Sequence, residues 1–333
     1  MTAIDAQSLE LVCPAGTPAA LRTAIDAGAD AVYCGFRDET NARNFPGLNF
    51  SRDEMRASID YAHARGAKVL IAINTFARAG DPGPWRHAID DASALAADAV
   101  ILADIGLLSY AARTHPGLRL HLSVQAAAAS SAAITYYEKA FGVKRVVLPR
   151  VLSLAEIALV TRSISCETET FAFGGLCVMT EGRCSLSSYA TGKSPNINGV
   201  CSPASHVSYR ADSGSLVSRL GDFTINRFTP DQPVGYPTLC KGRFKTTVGE
   251  GYLFEEPVSL DARPLLPGLK KAGVRAIKIE GRQRSRAYIK AVVSAFRESL
   301  DALNGGRPDP IDSLALMTEG QTVTAGAYKK AWR

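Results

Sequence analysis

The sequence lacks the signatures of several common hydrolases and of membrane proteins. It contains neither an HExxH pair nor a GxSxG turn, so neither zinc-dependent nor serine-type proteolysis is predicted. Histidine is scarce, and its positions do not have metal-ligand spacing. The histidines are His63, His87, His115, His121 and His206. No apolar run approaches the roughly 20 residues that a membrane helix needs.

The amino-terminal sequence and the charge narrow the expected location and partners. The first ten residues, MTAIDAQSLE, carry two acidic residues and no apolar core of the kind that a secretory signal requires. We therefore expect a cytoplasmic protein without a transmembrane segment. Positive charge is in modest excess, with 38 Lys and Arg against 32 Asp and Glu. The basic clusters, such as residues 282–286, are not interleaved with stacking aromatic side chains, so no nucleic acid partner is expected.

Apolar runs typical of β-strands alternate with helical patterns along most of the chain. This alternation predicts parallel strands joined by crossover helices, and two of the helices begin with a capping box. An eighth strand is predicted over residues 275–280. The first seven cover residues 9–13, 31–35, 68–73, 99–103, 119–124, 145–149 and 168–173. The predicted fold class is therefore α/β, a (β/α)8 TIM-like barrel.

A turn-rich segment interrupts this alternation after the seventh strand. Residues 1–176 are predicted to form barrel strands one to seven, and residues 177–260 an inserted segment. Residues 261–304 would complete the barrel, and residues 305–333 would form a carboxyl-terminal tail. Without the insert, the chain is close to the roughly 250 residues typical of such a barrel. Because these barrels hold their chemistry on the loops that follow the strands, the insert is expected over the active face.

Four of the seven cysteines lie in the turn-rich insert. They are Cys177, Cys184, Cys201 and Cys240, separated by six, sixteen and thirty-eight residues. Thiolates gathered in loops suit zinc or an iron-sulfur cluster, because soft sulfur ligands select those metals. The spacing matches neither the paired knuckles of a zinc ribbon nor the compact ferredoxin run, so a chance scatter of cysteines stays open.

Several segments resemble the collagenase-like peptidase family, U-thirty-two, from about Leu9 to the tail. They include LVCPAG, NARNFPGLNF, IAINTFA, LHLSVQA, VVLPRVLS, FAFGGLCVMTEGRCSLSSY, CSPA, YPTLCKGR and IKIEGRQRS. The four-cysteine pattern is the specific part of the resemblance. Within the family, the segments are most similar to the members that act in anaerobic ubiquinone biosynthesis.

The resemblance implies a cofactor, partners and an activity. Cys177, Cys184, Cys201 and Cys240 would bind a 4Fe-4S cluster, and the chain would form a heterodimer with a second, UbiV-like cluster protein. The pair would hydroxylate ubiquinone precursors without molecular oxygen. A lipid-carrier protein that delivers the precursor is a further expected partner, and prephenate is implied as the anionic donor of the oxygen atom.

Strand parity predicts which side chains point into the barrel. In the eighth strand, the apolar Ile277 and Ile279 suit the outer face, which places Lys278 and Glu280 inside. Polar groups there either neutralise one another, in a network of the Lys278 to Glu280 kind, or serve a ligand.

Three residues are the candidates for catalytic work: Arg43, Glu280 and Arg282. Barrels of this kind often bind anions beside the loops after strands seven and eight. Arg282 and Lys241 would converge there, so we expect the anionic co-substrate at that position.

The role of the metal centre and the class of substrate stay open. Four cysteine ligands complete the coordination of a cluster, which favours electron relay, and the alternative is a purely structural cluster that holds the insert folded. The chain is alternatively an RNA-base-modifying member of the same family, or a scaffold stabilised by zinc. Peptidase activity is not expected.

Overall fold

The computed structural model describes residues 8–177, 179, 184–195, 201–232, 234–306, 314–318 and 322–329. Seven parallel strands, each hydrogen-bonded to the next, form most of a barrel. They are β1 (Glu10–Pro14), β2 (Ala31–Cys34), β3 (Lys68–Ile73), β4 (Ala99–Leu102), β5 (Leu120–Leu122), β6 (Arg145–Val147) and β7 (Glu167–Gly175). The predicted strands are thus all present, and most of them begin or end within two residues of the predicted bounds.

Six helices connect these strands. They are α1 (Pro18–Asp26), α2 (Arg52–His63), α3 (Gly83–Ala94), α4 (Ile105–Thr114), α5 (Ser131–Phe141) and α6 (Leu154–Arg162). Both predicted capping boxes are confirmed: Ser51 with Glu54 begins α2, and Ser153 with Glu156 begins α6. In each box the serine oxygen and the glutamate carboxylate accept backbone N–H groups that the helix itself leaves without a partner.

The insert forms small elements of its own. It contains α7 (Ser185–Thr191), a three-stranded antiparallel sheet and a two-stranded hairpin. The three-stranded sheet consists of β8 (Val207–Asp212), β9 (Ser215–Leu220) and β10 (Phe223–Phe228), and the hairpin of β11 (Arg243–Thr246) and β12 (Gly249–Tyr252).

The chain then returns to the barrel and closes it. The remaining elements are β13 (Ser259–Asp261), α8 (Leu266–Lys271), β14 (Ala276–Ile279), α9 (Arg286–Asn304) and β15 (Val323–Thr324). The eighth barrel strand, β14, pairs in parallel with both β1 and β7, which gives a closed (β/α)8 barrel as predicted. Beyond the barrel, β13 pairs with the end of β7 and β15 pairs with β13, so the described part of the tail is anchored to the sheet.

Two apolar layers follow from the alternation of side chains along the strands. Residues such as Ile277 and Ile279 face the helices in one large core, whereas Tyr33 and Ile101 belong to a separate small cluster inside the barrel. The parity predicted for the eighth strand is therefore confirmed. Among the described helices, none combines the length and the apolar character needed to cross a bilayer.

Candidate active site

Charged side chains from four parts of the chain meet at the mouth of the barrel, where the parallel strands end. Arg43 lies in the loop after β2, and Arg150 in the loop after β6. Glu280 and Arg282 follow β14, and Lys241 comes from the insert. The three predicted residues Arg43, Glu280 and Arg282 thus share one site, which we call the mouth site and define by these five side chains.

Glu280 is the acidic member of the mouth site. Arg150 donates a hydrogen bond from Nη2 to Glu280 Oε2 at 2.9 Å, and Arg43 Nη2 lies 3.8 Å from Glu280 Oε1. Burial alone would raise the pKa of Glu280, but the charges of Arg150, Arg43 and Lys241 outweigh it and lower the pKa. The carboxylate is therefore ionised at neutral pH, and 30% of the side chain remains exposed to solvent at the mouth.

Arg150 is fixed from two sides. Besides its hydrogen bond to Glu280, its guanidinium carbon lies 3.4 Å from the centre of the Phe171 ring. Only 7% of the Arg150 side chain is exposed. A buried arginine that stacks on an aromatic ring has a restricted orientation, so its remaining N–H groups are aimed rather than mobile.

Arg282 is held at the mouth by hydrogen bonding and by close backbone packing. Its Nη1 donates to Asn41 Oδ1 at 3.2 Å, and Asn41 Oδ1 also accepts the backbone N–H of Arg43 at 2.9 Å. One asparagine thus positions two arginines of the site. Gly16 is required beneath them, because a Cβ there would lie 1.9 Å from the Arg282 carbonyl oxygen. Burial lowers the pKa of Arg282 to about 10, which still leaves it charged at pH 7.

Lys241 reaches the mouth beside the end of β7. A Cβ added to Gly175 would lie 3.6 Å from Glu280 Oε2 and 4.0 Å from Lys241 Nζ, so the carboxylate and the ammonium group flank the same glycine. The neighbouring Gly174 has φ +121°, which L residues rarely adopt, and a Cβ there would lie 2.7 Å from Glu280 Cβ. The two glycines allow Glu280 to pack against the strand.

Among the described residues, Arg43, Arg150, Lys241 and Arg282 gather around the carboxylate of Glu280, and the charge of Arg284 also acts on it. Arginines present forked donors that match carboxylate and phosphate oxygens. Such donors suit an anionic ligand, and the anion expected beside Arg282 and Lys241 stays a prediction.

The four cysteines of the insert lie in turns or beside short elements, and Cys240 shares a turn with Lys241 of the mouth site. Cys177 follows β7 by two residues, and Cys184 caps α7, where its Sγ accepts the backbone N–H of Ser187 at 3.4 Å. Ser187 also donates from its hydroxyl to the carbonyl of Cys201 at 2.6 Å, which ties those two cysteines together. Cys240 immediately precedes Lys241 of the mouth site. None of the four thiols forms a disulfide.

The thiols are close enough to influence one another. Burial raises the pKa of Cys240 to about 12, Lys241 opposes this, and Cys201, Cys177 and Cys184 raise it further. Among the described residues, no group of three or more His, Cys, Asp or Glu side chains is placed to hold a metal ion. A 4Fe-4S cluster has four separate iron corners, so its sulfur ligands stand further apart than those of one ion. The donor set suits such a cluster, which stays a prediction.

The opposite end of the barrel interior contains a second set of buried charges. Arg145 Nη2 lies 2.9 Å from Glu10 Oε2, and Arg145 Nη1 lies 3.3 Å from Glu169 Oε2. Lys278 Nζ donates to Glu169 Oε1 at 2.7 Å and stands 3.8 Å above the Tyr33 ring. The predicted Lys278 to Glu280 network is therefore wrong: Lys278 pairs with Glu169, and Glu280 pairs with the arginines of the mouth.

Arg150, Asn41 and Gly175 are site residues that sequence reasoning missed. Arg150 lies in a short loop directly after a predicted strand, which in a barrel is the position of functional side chains. That position is the feature of the sequence from which Arg150 could have been chosen. Asn41 and Gly175 act by supporting charged neighbours, and a sequence does not reveal which neighbours those are.

The chain is similar in sequence to several known proteins. The model of Peptidase family U32 matches residues 16–332. The chain is 30% identical over 318 residues to tRNA hydroxylation protein P of Escherichia coli, covering 90% of this chain and 69% of that protein. It is 31% identical over 303 residues to an uncharacterized protease of Methanocaldococcus jannaschii, covering 90% and 66%. It is 31% identical over 329 residues to the 23S rRNA 5-hydroxycytidine synthase of Escherichia coli, covering 96% and 43%.

These relatives are longer than this chain. It spans about two thirds of the length of the first two and less than half of the third. Two of the three names refer to hydroxylated RNA, as in the RNA-modifying alternative, and none refers to ubiquinone.

Proposed function

Because this chain belongs to peptidase family U32, as its motifs predicted, we propose that it is the iron-sulfur component of a hydroxylase. Cys177, Cys184, Cys201 and Cys240 would hold a 4Fe-4S cluster in the insert. The mouth site would bind an anionic co-substrate that supplies the oxygen atom, so that molecular oxygen is not needed.

One observation carries this proposal. The mouth site has four cations around Glu280, and its Lys241 directly follows Cys240, one of the four thiols. An anion held by Arg150 and Arg43 would therefore lie near the cluster. A redox group and a bound co-substrate in adjacent positions are what an oxygen-transfer reaction requires.

The residues of the mouth have separate roles in this proposal. Arg150 and Arg43 would orient the anion through charge-assisted hydrogen bonds, and Arg282 and Lys241 would add attraction. Glu280 would pair with the arginines until the anion displaces it, and its carboxylate would accept a proton that the substrate loses. When bound, the cluster would supply electron transfer, since four thiolates complete its coordination. A structural role in the insert is the alternative.

Two ring substrates are candidates for hydroxylation. The names of the relatives support an RNA base more directly, since one acts on tRNA and another makes hydroxycytidine in rRNA. The motif resemblance supports a ubiquinone precursor, and the insert displays apolar side chains that suit an isoprenoid tail. These include Tyr189, Tyr236 and Leu253, which are 80%, 50% and 59% exposed.

The partners and the oxygen donor belong to the same proposal. In the quinone case the chain would pair with a UbiV-like cluster protein, and a lipid-carrier protein would deliver the precursor. Prephenate would be the anion at the mouth site; its two carboxylates are the ligand groups that arginines bind best. In the RNA case the partner would be the RNA itself.

Anaerobic purification and metal analysis test the cluster. We expect a brown protein with iron and sulfide, and the Cys184→Ser variant is expected to lose most of both. Cys166→Ser is the matched control, because Cys166 lies outside the insert, next to Glu138, and its variant should keep the iron. A colourless protein that contains zinc would contradict the proposal and support the scaffold.

A deletion strain grown without oxygen tests the substrate. Its quinones and its digested tRNA and rRNA nucleosides are compared with those of the parent by mass spectrometry. Loss of ubiquinone with accumulation of an unhydroxylated precursor identifies the quinone pathway, and loss of a hydroxylated nucleoside identifies RNA. Complementation by Arg150→Gln should fail in either case. If neither class of molecule changes, the hydroxylase proposal is wrong.

A further inference from the structure

We infer that Lys241 couples anion binding at the mouth site to the redox state of the cysteine-bound cluster. The inference rests on the proposed function, because it needs both the cluster and the anion site. It assigns Lys241 the role of a positioning residue that acts on both sites through its charge. Reduction weakens anion binding, and a bound anion makes reduction harder.

Lys241 has a fixed place in the fold, directly beside one of the four thiols. It belongs to a single 3-10 turn, Leu239–Lys241, which also contains Cys240. Asn226 holds this turn by donating from Nδ2 to the Lys241 carbonyl at 3.4 Å. The side chain is buried, with 6% of the residue exposed. The ammonium group is therefore fixed with respect to the thiol that precedes it.

The ammonium group of Lys241 also faces the mouth site. Gly175 lies between Lys241 Nζ and Glu280 Oε2. A Cβ added to Gly175 would lie 4.0 Å from the first atom and 3.6 Å from the second, which is about van der Waals contact. The positive charge lowers the pKa of Glu280, and the same lysine directly follows Cys240 in one turn. One cation is therefore shared by the two sites.

The coupling between cluster reduction and anion binding has a definite sign. Adding one electron makes the cluster more negative, so the fixed positive charge of Lys241 favours reduction. An anion bound at the mouth neutralises part of that charge and disfavours reduction. By thermodynamic linkage, the reduced protein must bind the anion more weakly by the same factor. No bond forms or breaks, and the electron comes from the external reductant.

Sulfate is a suitable probe because its charge is constant near neutral pH. The anaerobically purified, cluster-loaded protein is titrated with dithionite in the presence of mediators, in potassium chloride and in potassium sulfate of equal ionic strength. The reduced cluster is followed by electron paramagnetic resonance. We expect sulfate to bind about fivefold more weakly to the reduced protein, near the low end of allosteric coupling. For a one-electron couple, this factor corresponds to a midpoint potential lowered by about 40 mV.

The variants distinguish a specific effect of Lys241 from a general effect of net charge. Lys241→Gln should lower the midpoint potential in chloride and abolish most of the sulfate shift, and Lys241→Arg should restore the shift. Lys245→Gln is the control, because Lys245 is exposed on β11 and the same charge is removed. Arg150→Gln removes a side chain that binds the anion and should lose most of the sulfate shift.

Three outcomes overturn the inference, and they are distinguishable. A sulfate shift of the same size in Lys241→Gln, with its iron content intact, or no shift in the unaltered loaded protein, shows that Lys241 does not couple the sites. A preparation without iron instead overturns the proposed function, and the inference with it. Sulfate affinity measured by calorimetry on oxidised and reduced protein must give the same factor as the potentials.

Discussion

The two ends of the barrel interior carry buried charge in different ways. At the amino-terminal end of the strands, Glu10 and Glu169 face Arg145 and Lys278, so fully buried acids and bases are equal in number. At the mouth, the described cations Arg43, Arg150, Lys241 and Arg282 gather around Glu280, and the group is partly exposed to solvent. Buried ion pairs that satisfy one another support the fold. Charged groups that solvent reaches can also contact a ligand.

The exposure of the two sets agrees with this division. Glu169 is fully buried and Arg145 is 3% exposed, whereas Arg43 and Glu280 keep 34% and 30% of their side chains exposed. Buried charges are tolerated only when they are paired. Solvent, or a ligand, can reach the charged groups of the mouth site.

The largest effect is expected from breaking the balanced end. Glu169→Gln leaves Lys278 and part of Arg145 without a counter-charge inside the barrel. Removing one partner of a buried ion pair typically costs about 3–5 kcal/mol of stability. Anaerobic urea unfolding, followed by circular dichroism, measures this loss.

The matched control is Glu167→Gln at the rim of the same network. Its side chain is 33% exposed and contacts Arg119 and Arg145, so water can replace the lost contact. An exposed ion pair contributes about 0–1 kcal/mol, so this variant should remain close to the parent. Equal losses for the two glutamates would contradict the description of Glu169 as a buried structural partner.

The next largest effects are expected in two variants of the mouth site, whose sulfate affinities should change in opposite directions. Arg150→Gln removes a charged donor, and hydrogen bonds to charged groups contribute about 1.5–3 kcal/mol, so sulfate should bind about tenfold to a hundredfold more weakly. Glu280→Gln removes a competing carboxylate and should strengthen sulfate binding. Isothermal titration calorimetry measures both affinities.

Arg162→Gln provides the control for net charge in this pair. Arg162 is exposed at the end of α6, away from the mouth, and its loss should leave sulfate affinity nearly unchanged. If Glu280→Gln weakened sulfate binding as much as Arg150→Gln, Glu280 would be a structural support of the ligand site. It would then not be a competitor for the arginines.

The barrel and its polarity were predictable because both depend on local pattern. Strand parity placed Lys278 inside, and it lies there. Parity could not identify its partner. Residues two apart on a strand are displaced by about 6.6 Å along it, so Lys278 and Glu280 lie in successive layers. Each pairs within its own layer with residues from other strands, and only the closed barrel defines those layers.

The mouth site was predictable in part for the same reason. Arg43, Glu280 and Arg282 could be chosen because they belong to loops that must meet above the strands. Arg150 was missed, because an arginine after a strand is common and its stacking on Phe171 depends on the neighbouring strand. The arrangement of the four thiols depends on the path of the insert, which turn residues permit but do not specify.

The smallest expected effect is the absence of a pH dependence at the mouth. The arginines and Lys241 hold the pKa of Glu280 below its usual range, and Arg282 keeps its proton up to a pH of about 10. Glu280 is therefore ionised and Arg282 protonated throughout pH 6 to 8, and sulfate is divalent there. Sulfate affinity measured by calorimetry should change by less than about twofold across that range, since neither group titrates in it. Protonation of Glu280, which requires a pH well below the ordinary pKa of a glutamate, would remove its competition and strengthen binding, as we expect for Glu280→Gln at pH 7. An affinity that rose severalfold between pH 8 and 6 would place the pKa of Glu280 near neutrality, and the arginines would then not dominate its environment.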